Sequence, residues 1–206
     1  MNAATAIAIR PSKGEETRAQ ILSAAVDQAS SSGFESLTIG TLAEKTGMSK
    51  SGLFAHFGSK LELQLAALDE AARQFTEQVF MPALKAPRGV KRLRALFEGW
   101  VSWPRRASLP GGCPLDAASR EYDHKPGPMR DAVVDRQRIL GRELTKTVAM
   151  AIETGELKPG TDATQLAFEI FAVILGCFRC ELIYGADKAR EHARVAFERL
   201  LETYRR

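Results

Sequence analysis

Leu37-Thr38-Ile39-Gly40-Thr41-Leu42-Ala43-Glu44-Lys45-Thr46-Gly47-Met48-Ser49-Lys50-Ser51-Gly52-Leu53-Phe54-Ala55-His56-Phe57 is the stretch whose reading decides the fold. Thr38 and Ser49 stand at N-cap positions, where a side-chain oxygen satisfies helical N–H groups that have no partner within the helix. Ala43 is small enough for two helices to approach closely, and Gly47 gives the intervening turn its backbone freedom. Two short helices about a tight turn form a helix-turn-helix, the pattern in which the second helix enters the DNA major groove.

Upstream, Ile21, Leu22, Ala25, Val26 and Ala29 recur three and four apart, so a helix is expected over 15–31, with Gly33 just past its end and Phe34 and Leu37 as core anchors. Residues 1–13 lack this periodicity and read as an arm. Arg10 and Lys13 in it could follow a DNA groove or simply be solvated. A three-helix unit of this size needs support from the rest of the chain.

Downstream, Leu61, Leu65, Leu68, Ala72, Phe75 and Val79 predict a longer helix over 60–80 that leaves the DNA-reading unit and links it mechanically to the remainder of the chain. Further helices are expected over 90–103, 114–122 and 128–153, separated by Pro/Gly breaks. Period-two alternation is found nowhere, so the expected fold class is all-α. The domains divide as 1–60, an arm and helix-turn-helix unit, and 61–206, a helical regulatory and dimerisation unit. Of the last two helices, 162–183 is apolar nearly all round in its middle, as a helix buried on two sides would be, and 188–204 is amphipathic. Because two-fold DNA sites are read by symmetric dimers, this pair is expected to pack against its copy in a second subunit.

Composition narrows the class without naming a partner. The 206 residues include 45% hydrophobic and 26% charged side chains, the balance of an ordinary globular protein with a sizeable core. Three cysteines without a signal peptide point to a reducing, cytoplasmic setting. The richest apolar stretch, 166–178, contains Glu169, which argues against a membrane span. A net charge of +4 fits nucleic acid weakly. Its distribution says more: no acid lies between Gly47 and Lys60, so Lys50, His56 and Lys60 carry no competing carboxylate in that segment. A second basic excess, seven Lys/Arg against Glu98 over 85–106, suggests no particular partner.

Residues 15–63 carry a resemblance. The Leu37-Thr38-Ile39 start, Ala43, Gly47, Ser49-Lys50-Ser51-Gly52, the Phe54-Ala55-His56-Phe57 ending and Ser59-Lys60-Leu61-Glu62-Leu63 together resemble the DNA-binding domain of TetR-family transcriptional regulators. The resemblance implies that Lys50, Ser51 and Gly52 begin the recognition helix and reach base edges or adjacent phosphates. Thr38, Ser49, His56 and Lys60 fall at positions that cap the helices or hold the DNA backbone, contacts that position the protein without reading sequence. Phe54 departs from the family: many members have Tyr there, whose hydroxyl can bond a phosphate, and that role is not carried over.

The family's second domain holds a small-molecule inducer in a mostly apolar pocket. Phe97, Trp100, Trp103, Cys113, Phe171, Phe178 and Arg179 are the candidates to line it here. Arg179, a cation in an apolar helix, needs Glu181, Glu169 of a neighbouring copy or an anionic ligand as partner. Cys177-Phe178-Arg179-Cys180 could be a redox pair or, more blandly, small core residues, and Cys113 follows Gly111-Gly112 in a turn. Glu121, Asp123 and His124 read as a solvated loop, a metal or polar-ligand site being the alternative. No metal site is expected, because the cysteines and histidines lack a second Cys-x-x-Cys. Catalytic residues and cofactors are likewise not expected, since no nucleophile-base order or phosphate loop stands out. The reading is a homodimeric, inducer-responsive regulator that binds a double-stranded DNA operator as a repressor. A thiol-based regulator using Cys113 or Cys177/Cys180 and an all-α enzyme are its rivals.

Overall fold

The computed structural model describes residues 12–206; the arm at 1–11, with Arg10, lies outside them. Ten α-helices run in order through the described residues: α1 Lys13–Ser32, α2 Ile39–Thr46, α3 Lys50–Phe57, α4 Lys60–Phe75, α5 Met81–Leu84, α6 Val90–Arg106, α7 Pro114–Tyr122, α8 Pro128–Glu153, α9 Ala163–Tyr184 and α10 Ala186–Tyr204. A 3-10 turn at Phe34–Ser36 joins α1 to α2, and a π turn at Thr76–Phe80 joins α4 to α5. No strand occurs among the described residues, only an isolated bridge between Leu157 and Arg205.

The helix starts are written in their caps. Ser12 and Glu15 form a reciprocal capping box, so α1 begins two residues ahead of the expected 15 and takes Lys13 out of the arm. Thr38 and Thr41 form a second box at α2, Gly47 ends α2 in the left-handed conformation at φ 68°, and Ser49 and Ser59 cap α3 and α4. Ile21, Ala25, Val26 and Ala29 close on Phe34, Leu37, Leu42 and Leu53, all with no exposed surface. Each such large side chain contributes roughly 1.5–3 kcal/mol by leaving water. Leu63, Ala67 and Leu68 of α4 belong to the same continuous core, and α4 also packs against α7 and α8, so it is shared between the two units.

Two helix limits differ from the sequence reading for identifiable reasons. The helix expected over 60–80 is α-helical only to Phe75 and then continues beyond 80. Arg106 donates to the Gln78 carbonyl at 3.0 Å and Trp103 Nε1 donates to Gln78 Oε1 at 3.2 Å, and the backbone widens into the π turn that leads into α5, with Pro82 in its first turn. Similarly α6 runs past Trp103 through Pro104 to Arg106, whose guanidinium also takes the Gly99 carbonyl at 3.1 Å.

The basic stretch over 85–106 is used inside the molecule. Arg94 grips Glu198 of α10 through two nitrogens at 2.7 and 2.8 Å, Arg88 reaches Glu153, and Arg105 reaches Asp187. Arg194 returns the contact onto Glu98 at 2.8 Å. These pairs brace α6 against α10 and the residues just before α6 against α8. Helix α9 is not buried on two sides: Phe168, Leu182, Ile183 and Tyr184 are 66, 95, 70 and 52% exposed. Phe168, Leu182 and Ile183 share one exposed face, whereas Tyr184 turns away from it and meets the His192 ring at 5.4 Å.

Candidate nucleic-acid interface and ligand cavity

Of the seven residues expected to meet DNA, three are engaged in building the helix ends. Thr38 Oγ1 accepts the Thr41 N–H at 3.1 Å, and Ser49 Oγ accepts the Gly52 N–H at 3.1 Å. A Cβ at Gly52 would lie 3.1 Å from the Ser49 hydroxyl, a tight contact with the cap. Lys50 and Ser51 are exposed at the first turn of α3, and Phe54 one turn on is 57% exposed. His56 is half-buried beside Phe57, in the groove that α3 forms with Arg18 of α1 and Glu62 of α4. Lys60 is exposed at the start of α4.

Lys60 does have a competing carboxylate, which corrects the sequence reading. Glu35 of the 3-10 turn accepts from Lys60 Nζ at 3.0 Å. The acid comes from before the acid-free segment and is brought in by the fold. This hydrogen bond holds the Glu35 carboxyl below its ordinary value, so the carboxylate is ionised at neutral pH. Both side chains are nearly half exposed, and such a pair contributes no more than about 1 kcal/mol.

In the second unit a cavity of about 290 Å³ opens between α6, α7, α8 and α9. Trp100, Cys113, Phe171, Phe178 and Arg179 line it, together with Leu115, Leu140 and Leu175. Phe97 and Trp103, expected in the same pocket, are in the core. Phe97 stacks on Phe197 with centroids 4.0 Å apart, and Trp103, with no exposed surface, meets the edge of Phe75 at 5.4 Å. Helical spacing could not tell the cavity face of α6 from its core face.

The polar wall was missed. Asp116, Ser119 and Arg120 of α7 and Asp123 just past its end line the cavity at a three-four-seven spacing that the sequence does show, with Ala118 and Tyr122 buried on the other side. Asp116 pairs with Arg120 at 3.0 Å, and Gln137 of α8 donates to Ser119 Oγ at 2.6 Å. Arg179 does not pair with Glu181, the partner expected within the chain. Glu169 accepts from Gln165 and the Tyr204 hydroxyl, and Glu181 has Arg190 as its neighbouring cation. Among the described residues Arg179 makes no hydrogen bond or ion pair.

Two of the three thiols, Cys113 and Cys177, are buried. Burial pushes Cys113 up to about 12 and Cys177 up to about 11, so both stay protonated at neutral pH, and the nucleophilic thiolate is withheld. Glu121 is not solvated either: its carboxylate accepts backbone N–H groups of the turn after α1.

A capped helix-turn-helix carried on a helix shared with a cavity-bearing bundle matches known proteins along both parts. Residues 89–197 match the family described as "Tetracyclin repressor-like, C-terminal domain", and residues 21–67 match "Bacterial regulatory proteins, tetR family". The chain belongs to the TetR family. It is a DNA-binding transcriptional regulator by this membership.

A TetR transcriptional regulator from Chloroflexus aurantiacus is 29% identical, with a TM-score of 0.81 over 92% of this chain and 94% of that one. A transcriptional regulator from Saccharomonospora viridis in complex with choline is 24% identical, with a TM-score of 0.73 over 89% and 96%. AibR, in complex with isovaleryl coenzyme A and operator DNA, is 23% identical, with a TM-score of 0.63 over 79% and 86%. No curated protein matches. Among the described residues no helix is long and apolar enough to cross a membrane.

Proposed function

We propose that this TetR-family chain is a homodimeric repressor, released from a palindromic operator when a small molecule fills the cavity between α6, α7, α8 and α9. The observation that carries the DNA half is the exposed first turn of α3, with Lys50 and Ser51 presented by a capped helix and no acid on the helix itself. Lys50 and Ser51 read base edges, and Gly52 lets the backbone approach. Thr38, Ser49, His56 and Lys60 hold the phosphates on either side. Two copies joined through α9 and α10 place their recognition helices in successive major grooves about 34 Å apart. The operator puts its site of action in the cytoplasm.

The cavity supports the ligand half. Its aromatic and aliphatic wall, its paired polar groups and the unpartnered Arg179 suit a molecule with an apolar body and an anionic group. Two proteins of this fold hold small molecules, choline in one and isovaleryl coenzyme A in the other. Occupancy then shifts the population toward a spacing of the two α3 helices that no longer fits the operator.

Selection of bound sequences from random DNA by the purified chain tests the first half. An inverted repeat is expected, its half-sites about one helical turn apart. Failure to enrich any sequence would remove the regulator reading.

Lys60 makes a finer expectation. Lys60→Ala should weaken binding to every sequence about equally and lower the slope of log affinity against log salt by about one. Glu35→Gln frees the same ammonium and removes a negative charge near the DNA, so it should tighten binding roughly three- to fivefold at low salt. Titrations by fluorescence anisotropy across a salt series check both. A Lys60→Ala slope equal to that of the unaltered chain would take Lys60 off the phosphate backbone.

A further inference from the structure

Helix α7 stands between the cavity and the DNA-reading unit. Asp116, Ser119, Arg120 and Asp123 face the cavity. Glu121, two residues beyond Ser119, turns the other way and spends both carboxylate oxygens on the turn after α1. Its Oε2 accepts the Phe34 N–H at 2.6 Å and its Oε1 accepts the Glu35 N–H at 2.8 Å. Gly33, just before them, has φ +80°, and a Cβ there would lie 2.9 Å from Glu121 Oε2. The carboxylate thus fills the space where a side chain would be, and it joins residues 87 and 86 positions apart.

The turn it holds is tied in its own right to the DNA-facing elements. The buried Gln64 of α4 donates Nε2 to the Phe34 carbonyl at 2.8 Å. Gln28 donates to the Ser36 carbonyl at 3.0 Å and to Thr41 Oγ1 of α2 at 3.2 Å. Glu35 holds Lys60 at 3.0 Å. One short turn therefore contacts α1, α2, the first turn of α4 and, through Glu121, the wall of the cavity.

We propose that Glu121 is the positioning residue through which α7 carries the state of the cavity to the DNA-reading unit. The inference rests on the reading of the cavity as a ligand site. A carboxylate is the side chain that this position requires: it offers two acceptors to two parallel N–H donors, and ionised acceptors bond about twice as strongly as neutral ones. A carboxamide supplies only one acceptor and sets an NH2 against the other N–H. Because α7 is a single nine-residue helix, a group that presses on Ser119 displaces Glu121 with it, and the turn, Gln64 and Lys60 move in concert.

The test needs no identified ligand, because a side chain can occupy the cavity instead. Operator affinity is measured on the selected sequence for the full-length chain, for Ser119→Phe, for Glu121→Gln and for the double variant, with Ser30→Ala as a control. Ser30→Ala removes the neighbouring tie, in which Ser30 Oγ donates to the Gly112 carbonyl at 2.8 Å, and leaves Glu121 alone. Ser119→Phe is expected to change the operator Kd at least about fivefold in the unaltered background and in Ser30→Ala, and less than about twofold in Glu121→Gln. Amide exchange at Phe34 and Glu35 should quicken roughly tenfold in Glu121→Gln, as a lost charge-assisted bond implies.

Equal shifts by Ser119→Phe with and without Glu121 would overturn the role of Glu121 and leave the ligand-site reading standing. No shift in either background would overturn both. Should Glu121→Gln fail to melt cooperatively, Glu121→Asp takes its place, since its shorter carboxylate keeps the charge but cannot span both N–H groups.

Discussion

Phe168→Glu combined with Leu182→Glu is expected to leave the chain monomeric at micromolar concentration and to lower its operator affinity at least about 100-fold. The expectation starts from α9, whose Phe168, Leu182 and Ile183 are 66, 95 and 70% exposed although the helix is among the most apolar in the chain. Ala172 and Gly176 lie between Phe168 and Leu182 on the same exposed face, and their small side chains allow a second helix to approach closely. Val195 of α10, 46% exposed, adds to the apolar surface of the helix pair.

Burying Phe168, Leu182 and Ile183 in two symmetric copies gains roughly 1.5–3 kcal/mol for each side chain, which is enough to exceed the roughly 4–15 kcal/mol cost of association only if most of them contribute. Two carboxylates per copy remove the larger part of that gain and oppose each other across the two-fold axis. Neither change touches α3 or the cavity. Light scattering reports the mass and fluorescence anisotropy the affinity. A double variant that remains a dimer would place the interface elsewhere on the molecule.

How far the sequence could be read depended on whether the deciding interaction was local. The caps at Thr38 and Ser49, the left-handed Gly47 and the limits of α7 and α8 are set by residues within a few positions, and those elements were legible. The π turn was not, and the Arg106 contact made with it, to the Gln78 carbonyl, spans 28 residues. The same holds at the two sites. Lys60 looked free because Glu35 lies 25 positions upstream, and Glu121 looked solvated because its donors lie in another part of the chain.

Periodicity identified which helices are amphipathic but not which apolar face meets a cavity, so Trp100 was placed with Phe97 and Trp103 although only Trp100 of the three lines it. The polar stripe of α7 was legible in its spacing. Its meaning needed the cavity behind it. The burial of α9 was misjudged for a related reason, since an apolar face has the same composition whether or not its own chain covers it.

Gly111→Ala is expected to destabilise the chain by about 3 kcal/mol, the upper part of the range for forcing atoms into packed space. The glycine lies at the point where the segment leading into α7 crosses the end of α1. An added Cβ would fall 2.0 Å from the Ser30 carbonyl oxygen and 2.4 Å from Ser31 Cα, and backbone atoms cannot rotate aside as a side chain can. The approach is held on both sides by one hydroxyl: Ser30 Oγ accepts the Gly111 N–H at 3.0 Å and donates to the Gly112 carbonyl at 2.8 Å. Separating the two segments to admit a methyl group would break both bonds and draw Glu121 away from the turn after α1. For a chain of this size the loss corresponds to a fall in Tm of roughly 6–12 °C.

Two neighbouring variants separate close packing from other causes. Gly112→Ala tests the backbone alone, because Gly112 has φ +93° and a Cβ there would meet nothing within 4 Å; about 1 kcal/mol is expected from the left-handed conformation. Ser30→Ala removes the hydroxyl without adding bulk, again at about 1 kcal/mol. The predicted order of melting temperatures therefore puts Gly111→Ala well below the other two. A Gly111→Ala chain that melts within about a degree of the unaltered protein, where several degrees are expected, would mean that α1 and the α7 segment do not cross in contact, and the route from the cavity through Glu121 would lose its structural basis.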